Sequence, residues 1–138
     1  MHIRSLGMIF LFSSLVSANE FEQTKIPFLS GAVYTMMAEV VYCGYKYPDL
    51  SVNSDKIHAD LKTITVKIKD YYISKDSISK FEELEELEES SINIAGRKVM
   101  QYHLNDGISL DNCNSILSNA SPEGFSSELK NILSKLSS

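Results

Sequence analysis

Between Phe28 and Tyr47 the chain reads FLSGAVYTMMAEVVYCGYKY, and wound into a helix this stretch is apolar almost all the way round. Leu29, Val33, Met36, Met37, Val40, Val41 and Tyr45 recur at helical spacing, with Ala32, Tyr34, Ala38 and Tyr42 beside them. What remains polar is a thin line of Gly31, Thr35, Glu39 and Lys46, separated by four, four and seven residues. That pattern predicts the narrow solvent edge of a mostly buried helix. A helix that must be covered on nearly every side needs others packed around it. The expected fold is therefore all-α, a compact bundle of five or six helices around this central one.

The 138 residues, 43% of them hydrophobic, suffice for one core and not for two. Residues 1–18, MHIRSLGMIFLFSSLVSA, have Arg4 in a short basic start, an apolar run from Leu6 to Val16, and Val16 and Ala18 as small residues before a cleavage point. They read as a signal peptide, too short to span a bilayer and followed at once by polar Asn19 and Glu20. A single helical domain from 19 to 138 would remain. Losing residues 1–18 removes Arg4 and no acidic residue, so the formal net charge moves from −5 to −6. An acidic chain without basic patches argues against nucleic acid and anionic membranes, and suits a basic protein partner. An exported chain with two cysteines, Cys43 and Cys113, is expected to join them in one disulfide, in the periplasm or outside the cell.

In chain order, residues 19–27 read as a loose polar arm ending in Pro27, and the first helix should end near Tyr45, before Pro48. Ile57, Leu61, Ile64, Ile68 and Tyr71 give one apolar stripe to a second helix from Asp55 to Ile73, with Asn53 or Ser54 as its cap. Ser79 and Glu82 read as the capping box of a third helix, whose apolar side is Phe81, Leu84 and Leu87. A separate short helix is expected from about Ala95 to Leu104, stopped by Asn105-Asp106-Gly107. Ser109 can cap the next, which brings Cys113 back to Cys43. Ser121-Pro122-Glu123 opens a terminal helix with Phe125, Leu129, Ile132, Leu133 and Leu136 inward.

No nucleophile elbow, zinc-protease motif or Gly-rich phosphate loop occurs, and His58 and His103 fall in no ligand pattern. No enzyme activity, metal or cofactor is expected. The feature that asks for a partner is the run Glu82, Glu83, Glu85, Glu86, Glu88 and Glu89. Like charges three and four residues apart repel on a helix, so the run does not serve local helix stability. Together with Tyr45 and Tyr47, tyrosine being a common interface anchor, these glutamates are the candidate partner-binding residues.

A signal peptide, a helical mature domain, Cys43 in VVYCGYKY on the first long helix and Cys113 in LDNCNSIL on a late one resemble, in layout, the small periplasmic immunity proteins of type VI secretion systems. Those proteins bind and block peptidoglycan-degrading amidases or muramidases. The resemblance implies a toxin inhibitor with a basic enzyme as partner. The alternative is a periplasmic chaperone or assembly factor of a secretion or envelope apparatus, working through apolar surface at Met36 and Met37. Pairing of two copies of the chain is compatible with either.

Overall fold

The computed structural model describes residues 20–137; the stretch read as a signal peptide lies outside them. Five α-helices follow one another: α1 Ile26–Lys46, α2 Ser51–Ile73, α3 Ile78–Leu104, α4 Leu110–Ala120 and α5 Ser127–Ser137. Short 3₁₀ turns at Pro48–Leu50 and Pro122–Gly124 link α1 to α2 and α4 to α5. No strand occurs among the described residues.

The apolar stretch does what its pattern demands. α1 touches all four other α-helices, and Ile26, Leu29, Val33 and Val40 are fully buried against Ile57, Leu61, Ile64 and Ile68 of α2 and Leu129, Ile132 and Leu136 of α5. α1 and α2 run antiparallel, approaching closely where Gly44 lies on Ser54. A Cβ at Gly44 would stand 2.6 Å from the Ser54 hydroxyl, so only glycine fits. α3 runs parallel to α1, as Ser30 meets Ser91 and Glu39 meets Tyr102. Cys43 and Cys113 form the expected disulfide with Cα atoms 5.6 Å apart, fully buried beside Ile108 in a second small cluster.

Four local expectations are corrected. Residues 21–25 are no loose arm. They form a π-helical turn continuous with α1, held because Glu22 accepts hydrogen bonds from Tyr71 (2.8 Å) and Lys80 (2.5 Å). Ser54 does not cap α2. It lies inside the helix, buried, and its hydroxyl donates to the Val40 carbonyl, while Leu50 takes the cap position. Ser79 and Glu82 make no capping box, because Ser77 precedes the helix and the Ser79 hydroxyl bonds that of Ser77 at 3.0 Å.

The fourth correction joins the two helices expected from Ser79 and from Ala95 into the single 27-residue α3. Ser90-Ser91-Ile92-Asn93 is poor helix sequence, but no proline interrupts it. Tertiary contact overrides propensity: the Ser91 hydroxyl pairs with Ser30 at 2.7 Å in the interior, and Ala95 is buried one turn on. α3 ends where expected, with Asp106 (φ 65°) and Gly107 (φ 88°) in left-handed conformations and the Gly107 N–H bonded back to the Tyr102 carbonyl.

Candidate functional site

The polar line of α1 is not its solvent edge. Gly31 is buried under α3, while Val41 and Tyr45 are exposed, Tyr45 by 89%. The reason lies in α3, which buries only Leu84, Ser91 and Ala95 over its whole length and scarcely touches α2, since both pack on α1. The gap left above α1 is a groove of about 830 Å³.

Its α1 side carries Tyr34, Met37, Ala38, Val41, Tyr42 and Tyr45, one face at spacings of three and four. Its α3 side carries Ile92, Ala95, Gly96, Val99, Met100 and His103, and α2 contributes His58. Apart from the two imidazoles and the tyrosine hydroxyls, the lining side chains are apolar, the thioethers of Met37 and Met100 among them. The α3 wall is fixed in place by the Ser30–Ser91 bond and by Tyr102, whose hydroxyl donates to the Glu39 carboxylate. Burial, then the hydrogen bond to Glu39 and the Glu39 charge, keep the Tyr102 phenol neutral well above its ordinary range. On the far side of the α1–α3 contact a shallower hollow of about 450 Å³ is lined by Phe28, Ala32, Met36 and Ile94, so Met36 and Met37 face different openings.

The structure divides the expected partner-binding residues. Glu85 and Glu89 stand on the same strip of α3 as Ile92, Gly96, Val99 and His103, at steps of four, three, four, three and four, and Glu88 is beside them. Glu88 acts on the groove's Tyr34 through its charge: burial, and then that charge, push the Tyr34 phenol up from its ordinary value. Glu83 is engaged with Lys80 at 3.1 Å. Glu82 and Glu86 are exposed on the flank away from α1. Tyr45 stands at the groove mouth, but Tyr47 belongs to the framework. Its hydroxyl donates to the Ile108 carbonyl at 2.7 Å, as does the Lys46 ammonium, over the disulfide cluster.

Sequence reasoning assigned Tyr34, Met37 and Val41 to the core and passed over Gly96. The available signal was the surplus of apolar residues on α3, where Ile92, Val99 and Met100 point another way from Leu84 and Ala95. His58 and His103 both reach the groove, without a third ligand. Among the described residues no group of three or more His, Cys, Asp or Glu is placed to hold a metal ion. The continuous helix Phe21–Lys46, which contains an 18-residue stretch with a mean hydropathy of 1.3, is long and apolar enough to cross a membrane by length and composition. In this fold it is the helix on which the others pack. Comparison with protein-family models, curated protein sequences and solved structures found no match.

Proposed function

We propose that this chain is an exported helical binding protein, acting through a protein partner and not through a reaction of its own, and that the groove between α1 and α3 is the surface the partner covers. The supporting observation is the groove itself. Its 830 Å³ falls within the range of about 300–1,000 Å³ typical of binding sites, and its lining is almost wholly apolar. Soluble monomers seldom leave such a surface open unless something occupies it. The disulfide suits an oxidising compartment such as the periplasm, where the protein would meet its partner.

Two roles fit a periplasmic binder. In the first, the partner is a basic amidase or muramidase that cleaves the cell wall, and this chain is its immunity-type inhibitor; exposed Glu82, Glu85, Glu86 and Glu89 would speed the encounter. The second is a chaperone or assembly factor of an envelope apparatus. The apolar lining with Met37 and Met100, adaptable side chains, favours this second role. Affinity capture from periplasmic extract with the wild type and with Val41→Glu tests the common premise. The variant puts a charge on an exposed groove position and should fold but lose the partner. A partner retained equally by Val41→Glu would reject the groove. Release of dye from labelled peptidoglycan by the captured protein, and its suppression by this chain at one-to-one stoichiometry, separates the inhibitor from the assembly factor.

A further inference from the structure

Gly96 has no role in the fold. It lies in the interior of α3 with ordinary helical backbone, where glycine costs about 1 kcal/mol relative to alanine. Gly44 is explained by Ser54 and Gly107 by its positive φ, but a Cβ built on Gly96 meets nothing within 4 Å. The space it keeps open is the groove, whose facing wall carries another small residue, Ala38 of α1, about one turn further along in the register set by the Ser30–Ser91 and Glu39–Tyr102 contacts. Small residues on facing walls let a third backbone approach closely.

The groove has the length of a short helix. From Tyr34 to Tyr45 on α1 and from Ile92 to His103 on α3, each wall runs about 17 Å, or three turns. Its charge is uneven along that length. Glu85, Glu88 and Glu89 continue the α3 wall beyond Ile92, and no ion pair joins them to another described residue. On α2, the exposed Lys62 and Lys69 follow His58 at intervals of four and seven, outside the groove's lining, so the charge nearest the end of the α3 wall is that of the carboxylates.

Building on the proposed function, we infer that the groove receives one amphipathic helix of about three turns from the protein partner, with its apolar face on Gly96 and Ala38 and basic residues where it passes Glu85, Glu88 and Glu89. Such a ligand binds by anchors at i, i+3 or i+4, and i+7. The acidic wall fixes its direction and the glycine fixes its depth.

The test uses the oxidised protein and three fluorescein-labelled 14-residue peptides: leucine and lysine patterned as an amphipathic helix, the same composition scrambled to have no face, and the patterned peptide with glutamate for lysine. Anisotropy should show binding of the first and at least tenfold weaker binding of the other two. Gly96→Leu fills the groove from a position where side chains are not crowded. It should weaken the first peptide tenfold or more while the melting temperature holds or rises. Replacing Glu85, Glu88 and Glu89 by Gln should weaken it severalfold at low salt and leave it unchanged at high salt. Equal binding by Gly96→Leu, or by the scrambled or acidic peptide, overturns the inference. So does a groove that takes palmitate in a Gly96→Leu-sensitive way but none of the peptides. If the captured natural partner is lost with Val41→Glu while the basic peptide fails, the groove stands as the binding surface and only the helical, basic ligand falls.

Discussion

At the scale of single residues, the interior polar contacts set the sharpest expectations. The Ser30 and Ser91 hydroxyls bond only where α1 meets α3, fully shielded from water. Removing one partner strands the other at a cost of about 1–3 kcal/mol, whereas removing both leaves two small apolar side chains face to face. Ser91→Ala should therefore destabilise more than the Ser30→Ala/Ser91→Ala double variant, read as urea midpoints; additive losses would show the bond to be inert. Val40 is a harsher site. It has no exposed surface, and Val40→Asp places an unpaired charge in the core, costing several kcal/mol against a total stability of roughly 5–15 kcal/mol. Circular dichroism should show no cooperative thermal transition. Tyr47, which the residue pattern offered as an interface anchor, instead spends its hydroxyl on Ile108, and Tyr47→Phe should affect stability and leave partner binding alone.

At the scale of elements, the beginning of α1 is latched to the α2–α3 hairpin by Glu22, Tyr71 and Lys80. Burial by itself would raise the Glu22 carboxyl, but hydrogen bonds from Lys80 and Tyr71, with the Lys80 charge, outweigh it and hold the group below its ordinary range. Burial, then the bond to Glu22, push Tyr71 up to about 12. A carboxyl held low in the folded state stabilises above its unfolded value and stops doing so as pH falls through the folded one. A phenol held high stabilises fully below about 10 and stops as pH rises through about 12. The latch thus operates between about pH 4 and pH 10. Glu22→Gln should lower stability by about 1–2 kcal/mol at pH 7, discounted because Lys80 is partly exposed, and by less at pH 3. Urea titrations of both proteins at the two pH values check it; an equal difference at both would remove the charge from the account.

At the scale of the whole molecule, the disulfide ties the end of α1 to α4 across a sequence separation of 70. Closing a loop of that length in the unfolded chain is worth about 4 kcal/mol on chain-entropy grounds. Cys43→Ala/Cys113→Ala should lose about that much in urea unfolding while keeping its helical circular dichroism, since the larger core, to which all five helices contribute, contains neither cysteine. Loss of under 1 kcal/mol would show that the unfolded chain is already compact there. α3 lies at the other extreme, a long helix with three buried side chains, with Leu104 exposed by 74%. Its marginal burial is what leaves the groove open, and it is the helix whose amide exchange a bound partner should slow most.

The sequence by itself determined the central helix, the five-helix count within its range, the cysteine pair, the Ser109 cap and the stripes of α2 and α5, because each is written in local periodicity or in residues that act on their neighbours. Ser109 accepts from the Asn112 N–H as its position requires. Tertiary structure alone decided which face of α1 stays bare. An all-round apolar helix carries no mark of the direction its neighbours leave open, and its thin polar line pointed the wrong way because glycine, though placed among polar residues, lets α3 lie close over Gly31. It also decided that Ser90–Gly96 is helix, through the hidden Ser30–Ser91 bond between residues 61 apart. The groove belongs to neither helix alone. It exists because α2 and α3 both pack chiefly on α1 and only slightly on each other, a relation between elements that no local pattern encodes.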